Sequence, residues 1–424
     1  MRWPLHVQIL IGLAFGGITG TACHLLFPDS PQLAWFVANI ANPTGQVFLR
    51  LLFMLVIPLV ASSLILGVAD LGDIRRLGRI GLKTLAYTVV VSSIAVLLGV
   101  GLMNLVQPGK GLPPELQQRL LEDAAAMPAP VAAPGISGSD FFIGLIPRNP
   151  IAAAAEGNIL AVMVFALFFG MGLGALPREK SAPLARVFDG IFEVSLKLVG
   201  WVLAVAPIGV TALLFSLTAR LGFDILKHIG AYVLVVIGAL AFHQIVVYSA
   251  SVYFLGKMSP LRFFRDIKEA MLMAFSTASS TATLPTALKV AEENLKLPPH
   301  VSRFVLTIGA TANQNGTALF EGVTVLFLAQ FYGIDLSLMQ QVTVVLICIM
   351  GGVGTAGVPA ASIPVVIMIL GIVGVPAEGI GMILGVDRLL DMCRTTLNVT
   401  GDLAAAVVVS HGEEDVPSHL LPQS

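Results

Sequence analysis

The feature that most restricts this chain is its run of long apolar segments, one after another, with few charges inside them. They lie at roughly 5–27, 46–70, 79–106, 141–176, 187–217, 229–256, 301–331, 340–374 and 379–410, with a more mixed segment at 269–290. A stretch of about 20 apolar residues matches the hydrocarbon thickness of a bilayer. Within it every backbone N–H and C=O must be satisfied internally, so helices are the expected form. Apolar residues make up 56% of the chain and charged ones 12%, which leaves too little polar surface for a water-soluble fold of this length. A net charge of −1 offers no electrostatic footprint for nucleic acid. Cys23, Cys348 and Cys393 are odd in number and lie in apolar surroundings, so neither a disulfide framework nor a metal spacing follows. The first segment has no Ala-x-Ala cleavage pattern and reads as a retained span. The expectation is an all-α polytopic membrane protein.

Loop charges orient it. Arg75, Arg76, Arg79 and Lys83 follow the second span, Arg178, Lys180 and Arg186 the fourth, and Lys257, Arg262, Arg265 and Lys268 the sixth. The loop 28–46 has no Lys or Arg, and 107–140 is Pro- and Ala-rich with a slight acidic excess. By the positive-inside rule the basic loops and both termini are cytoplasmic, 107–140 is an extracellular loop, and 411–424 is a disordered cytoplasmic tail. The segment 269–290 has basic residues on both sides, including Lys289, Lys296 and Arg303 beyond it, so it cannot cross. Its Ser/Thr-rich centre, FSTASSTATLP, fits a re-entrant hairpin buried in protein. GGVGTAGVPAASIP interrupts 340–374 in the same way. Two interrupted segments, each followed by a full helix, are the pattern of an inverted-repeat transporter. Glycines that merely allow close helix packing are the bland alternative; two tips ending in proline beside a charged helix favour the transporter.

Two polar constellations accompany the hairpins. In GVDRLLDMCRTTLNVTGDL, the residues Asp387, Asp391, Arg394, Thr395, Asn398 and Asp402 recur at helical spacing on one face. Ionisable groups at such depth must face protein or a water-filled cavity and mark a site for something small and charged. In ATANQNGTALFEG, Asn-Gly inside an apolar helix predicts local unwinding, which frees carbonyls to bind a hard cation. Glu321, four residues beyond Thr317, is a candidate proton carrier, with a permanently protonated structural acid as its alternative. His243 is a rival proton site, but a satisfied core histidine is the favoured reading. An intramembrane hydrolase using Ser279 or Ser280 would need a base, and only Lys268 and Lys289 lie near in sequence, outside any nucleophile motif. A channel is the other rival, and groups spaced for a single ligand favour a carrier.

Together RLLFMLVIPLV, IPRNP, SSTATLP, NQNGT, GTAGVP and DMCRTTLNVTGDL resemble the glutamate transporter family, the dicarboxylate/amino acid:cation symporters, over almost the whole chain. The resemblance implies eight transmembrane helices with two re-entrant helical hairpins, inverted repeats, and a homotrimer whose protomers work by an elevator mechanism in the plasma (inner) membrane. It implies a scaffold mainly from 5–72 and 141–220, and a transport domain mainly from 79–106 and 229–410. It also implies roles for particular residues. Arg394 and Thr317 would take the side-chain carboxylate of an acidic amino acid, Asp391 with Thr395 its amine, and Asn398 with Ser280 its α-carboxylate, while the backbone near Val358 closes over it. Asp391 favours an amino acid over a C4-dicarboxylate, because members that carry the latter lack that acid. Members for neutral amino acids lack the arginine.

The departures concern coupling ions. Where sodium-coupled members have Asn-Met-Asp-Gly-Thr, this chain has Asn313-Gln314-Asn315-Gly316-Thr317. A third-span threonine of the same sodium site is Val91 here, with Ser92 kept, so that site is expected to be lost. Asn313, Asn398 and Asp402 match a first sodium site, and carbonyls near Thr311 and Thr355 a second. Glu321 matches a proton-carrying glutamate. The expected activity is proton-coupled symport of aspartate or glutamate with no cofactor, sodium-coupled symport being the runner-up and a C4-dicarboxylate carrier third. The second arginine that the family usually places near the site is replaced at its two usual positions by Ala278 and Met392, so Asp391 is expected to lack that usual cationic neighbour and to rely on the substrate amine for charge balance.

Overall fold

The computed structural model describes residues 5–27, 30–71, 79–112, 117–118, 121, 146–156, 159–222, 224–354 and 362–412. Among these it is helical, without strands. Helix α1 is Leu5–Leu26; α2 (Pro31–Phe36) runs through a π-turn into α3 (Asn42–Phe53); α4 is Val56–Leu71 and α5 Arg79–Val106. Then come α6 (Pro150–Ala155), α7 (Ile159–Ala175), α8 (Arg178–Ala204), α9 (Ala206–Leu221) and α10 (Asp224–Phe242). A π-turn at His243–Val247 joins α10 to α11 (Tyr248–Phe254). The C-terminal half holds α12 (Pro260–Thr277), α13 (Ser280–Lys289), α14 (Pro299–Ala312), α15 (Asn315–Phe331), α16 (Leu338–Gly354), α17 (Ser362–Val373) and α18 (Ile380–Ser410). The stretches Val7–Leu26, Arg79–Val106 and Ile225–Phe254 are each long and apolar enough to cross a bilayer. Large apolar side chains such as Leu25, Trp201, Ile208, Leu234 and Leu272 point outward, as the solvent of a membrane protein allows.

Local sequence explains the breaks. The segment 187–217, expected as one span, divides near Val205, where the helices on either side meet at 58°. Pro207 lacks the N–H that would continue the ladder. The segment 46–70 likewise divides, at Met54 and Leu55. In IPRNP, Asn149 caps α6: its side-chain oxygen accepts from the N–H groups of Ile151 (2.9 Å) and Ala152 (3.2 Å), with Pro150 in the first turn. Helix α1 lies backbone to backbone on α9. A Cβ added at Gly12, Gly16 or Gly20 would fall within 2.6 Å of a carbonyl oxygen of Pro207, Thr211 or Phe215 respectively, so this glycine stripe is a packing device.

The segment 269–290 folds as two helical arms. Ala278 adopts the left-handed conformation (φ 50°) and ends α12, and Ser279 then caps α13 by accepting from the N–H of Ala282 at 3.1 Å. Pairings between the arms run in opposite directions: Thr277 with Thr283 (3.2 Å), Glu269 with Lys289 (3.3 Å), and the Asp266 carbonyl with Asn294 (2.9 Å). The arms are therefore antiparallel. Helices α16 and α17 also run back to back, since Gln340 at the start of the first bonds the Val373 carbonyl at the end of the second (3.3 Å). Their tip, 355–361, and with it Thr355 and Val358, lies outside the described residues.

Candidate functional site

The apolar segment 301–331 is interrupted where NQNGT predicts. Asn313 (φ −122°, ψ 60°) and Gln314 (φ −95°, ψ 60°) leave the helix, and α15 restarts at Asn315. Beside this break runs α18, whose polar face is almost wholly buried. From Asn315 to Ala329 every side chain of α15 is buried, so its polar groups are shut away from the surface.

Two clusters result. In the charged one, Arg394 is buried and its Nη1 lies 2.8 Å from Asp387 Oδ1. Its Nε and Nη2 reach Asp391 Oδ1 at 3.0 and 2.9 Å. The guanidinium sits 4.2 Å above the Phe320 ring, a cation–π contact. Asp391 Oδ2 faces Arg388 Nη1 at 3.6 Å. The usual second arginine is absent at Ala278 and Met392, but Asp391 does not depend on a substrate amine alone for charge balance, since Arg394 and Arg388 both face it. Position 388 lies one helical turn before Asp391, and the i,i+3 spacing is the signal that would have found it. Asp387, left without a role by spacing and resemblance alike, is the second partner of Arg394.

The other cluster is built from amides. Asn398 Oδ1 accepts the Gly316 N–H at 2.7 Å, while its Nδ2 donates to Gln314 Oε1 (2.6 Å) and Thr317 Oγ1 (3.1 Å). Gln314 Nε2 donates to the Ala310 carbonyl at 2.9 Å, and the Gln314 N–H to the Gly352 carbonyl of α16 at 3.1 Å. Asn313 Nδ2 donates to Asp402 Oδ1 at 2.9 Å, whereas Asn313 Oδ1 is buried with no hydrogen-bond partner among the described residues. Gly316 is required here: a Cβ would sit 2.6 Å from the Arg394 carbonyl oxygen. Thr395 is buried on the same helix. Thr311 Oγ1 bonds its own helix at the Ile308 carbonyl (3.1 Å).

Asn315 joins four helices. Ser92 donates to its Oδ1 (2.5 Å), its Nδ2 donates to the Tyr248 hydroxyl (3.0 Å), and that hydroxyl donates to the Leu397 carbonyl (3.2 Å). Val91 is buried beside Ser92 in the sequence and offers no oxygen. Ser280, the first residue of α13, is buried with its hydroxyl unpartnered among the described residues, and so is Ser362 at the start of α17. Two helix N-termini thus each carry a buried hydroxyl without a partner among the described residues, a place suited to anionic groups. Glu321 is wholly buried, neither carboxyl oxygen has a hydrogen-bond partner among the described residues, and Oε2 lies 3.0 Å from where a Cβ on Gly351 would be. His243 departs from the expected satisfied core histidine. It is fully buried and packs edge-on against Tyr248 (4.9 Å between ring centres), with neither ring nitrogen hydrogen-bonded among the described residues.

Residues 5–412 match the family model described as the Sodium:dicarboxylate symporter family. The chain belongs to that family. As a sodium:dicarboxylate symporter family member it is a multi-pass membrane transporter and not an enzyme. It is 36% identical to the "Proton/glutamate-aspartate symporter" of Escherichia coli (strain K12), over 97% of this chain and 94% of that protein. It is also 36% identical to the "Proton/sodium-glutamate symport protein" of Bacillus subtilis (strain 168), over the same shares of the two chains. With the "C4-dicarboxylate transport protein" of Bacillus subtilis it shares 29% identity, over 97% of this chain and 94% of the relative.

Proposed function

We propose that this symporter carries aspartate or glutamate and couples the movement to protons. The observation that carries the reading is the buried charged cluster. Arg394 is held between Asp387 and Asp391, which is a complement for a ligand bearing both carboxylates and an amine. Arg394 and Thr317 take the side-chain carboxylate, the guanidinium as a planar fork. Asp391 with Thr395 takes the ammonium. Asn398 and Ser280 hold the α-carboxylate, and the backbone near Val358 covers the ligand. Charge balance supports a coupling ion. The cluster sums to zero with Arg388 included, and an acidic amino acid adds one negative charge, which a co-transported cation offsets in a medium that penalises net charge.

Glu321 is the proton carrier in this reading, supported by its full burial and by oxygens that have no hydrogen-bond partner among the described residues. Eight spans with two re-entrant hairpins, a scaffold of 5–72 and 141–220, a transport domain of 79–106 and 229–410, an elevator movement, a homotrimer and cytoplasmic termini in the inner membrane complete it. The antiparallel arms at 260–294 and the pairing of 340 with 373 support the hairpins. Sodium is the second reading. Asn313 Oδ1, without a partner among the described residues and near Asp402, leaves oxygen donors for a cation, and Asn398, Thr311 and Thr355 belong to the same proposed sites. Asn315 and Val91 mark the site proposed as lost.

Aspartate uptake into proteoliposomes, with a proton or a sodium gradient imposed alone, separates the readings. Glu321→Gln is expected to abolish proton-driven accumulation while substrate binding persists. Uptake by that variant with an unchanged pH dependence would sink the proton role of Glu321.

A further inference from the structure

Gln314 stands in the break between α14 and α15 and is buried, as is the Asn398 beside it. In an unbroken helix its N–H would bond the Ala310 carbonyl four residues back. Here that N–H turns instead to the Gly352 carbonyl of α16, at 3.1 Å. Its own side chain fills the gap, since Nε2 donates to the Ala310 carbonyl at 2.9 Å. With the nitrogen end thus committed, Oε1 is left to accept, and it takes a hydrogen of Asn398 Nδ2 at 2.6 Å. The Asn398 amide is held at its other end by the Gly316 N–H, which donates to Oδ1 at 2.7 Å. The series therefore begins on a backbone carbonyl and ends on a backbone N–H. A carbonyl can only accept and an N–H only donate, so neither amide can turn over without losing both of its bonds. The second hydrogen of Asn398 Nδ2 points to Thr317 Oγ1 at 3.1 Å, the longer of its two contacts.

We propose that Gln314 is a positioning residue: it locks the Asn398 amide with its N–H side turned towards Thr317, so that the site presents a donor there and selects a carboxylate. The proposal rests on the reading that Asn398 receives the α-carboxylate of the substrate and Thr317 its side-chain carboxylate. An amide free to turn would offer its oxygen as readily as its nitrogen, and an oxygen facing a carboxylate repels it. Gln314 acts through Asn398 and needs no contact with the substrate. It also ties this donor to the second pair of arms, because its backbone N–H holds the Gly352 carbonyl.

The test compares aspartate with isoasparagine, in which a carboxamide replaces the α-carboxylate, as competitors for labelled aspartate bound to the purified protein. Gln314→Met keeps the length of the side chain and removes its amide. It is expected to weaken aspartate about tenfold and isoasparagine much less, because a hydrogen bond to a charged group is worth more than one to a neutral group. The ratio of the isoasparagine to the aspartate inhibition constant therefore falls. Gln314→Glu is the conservative rescue. At mildly acidic pH its protonated carboxyl can donate to the Ala310 carbonyl and accept from Asn398, and the ratio should stay close to that of the unaltered protein. A ratio unchanged in Gln314→Met, or both constants weakened alike, overturns the proposal, since a merely structural role moves both ligands together. So does a ratio in Gln314→Glu at acidic pH as low as that of Gln314→Met. If the unaltered protein binds the two ligands equally, the reading of Asn398 as the α-carboxylate partner fails first, and that is seen before any variant is made.

Discussion

The charged cluster and the amide cluster lie on the same helix, one turn apart, and are held together by opposite means. Around Arg394 the contacts are between full charges: two carboxylates close on one guanidinium at 2.8 to 3.0 Å. Around Asn398 they are between neutral amides, a hydroxyl and backbone groups. Ion pairs in a low-dielectric interior are strong but can be traded for equivalent pairs with a charged ligand. Neutral amide bonds define where the unwound strand and the second pair of arms sit, because Gln314 and Gly316 join them through backbone groups as well. One region is made to exchange partners, the other to keep its shape.

Breaking the charged cluster should have the largest effect. Arg394→Ala leaves Asp387 and Asp391 buried side by side without their cation, a loss of about 3–5 kcal/mol. It should abolish aspartate uptake and lower the thermal unfolding midpoint of the purified protein in detergent. Restored stability on a second change, Asp387→Asn, would confirm that the damage is uncompensated charge. A stability unchanged by Arg394→Ala would mean that the ion pairs do not hold the site.

Next is the amide cluster. Gly316→Ala places a methyl 2.6 Å from the Arg394 carbonyl, and overpacking of this kind costs about 1–3 kcal/mol. The helices must separate at the point where the two clusters meet, so substrate affinity and thermal stability should fall together. An affinity lost without a change in stability would sharpen the comparison by showing that this contact tunes the site and does not brace it.

The smallest effect is expected at the relay through Asn315. Ser92→Ala removes one hydrogen bond to Asn315 Oδ1, worth about 0.5–1.5 kcal/mol. The unfolding midpoint should drop slightly with proton-driven uptake largely retained. Loss of proton-driven uptake comparable to that of Glu321→Gln would place the relay in coupling and erase the distinction between an exchanging region and a bracing one.

The sequence by itself determined the class of fold and the location of the site. Apolar length dictates helices in a bilayer, and Asn-Gly, a poor helix-forming pair, and proline, which lacks the ladder N–H, mark where those helices are weakened. Hence the unwinding at Asn313 and Gln314 was legible. The reversal at Ala278 and Ser279 followed from the basic residues on both sides of its segment and its Ser/Thr-rich centre, not from Pro285, which lies inside α13. The face from Asp387 to Asp402 followed from helical spacing. The bend near Val205 was signalled by Pro207 but hidden inside an apolar run of sufficient length. Side-chain pairing was another matter. That Arg394 holds Asp387, that Arg388 lies 3.6 Å from Asp391, and that neither His243 nitrogen is bonded among the described residues depend on which neighbours approach within a few ångströms. Helical spacing lists the groups on a face; only packing against other helices decides which of them meet.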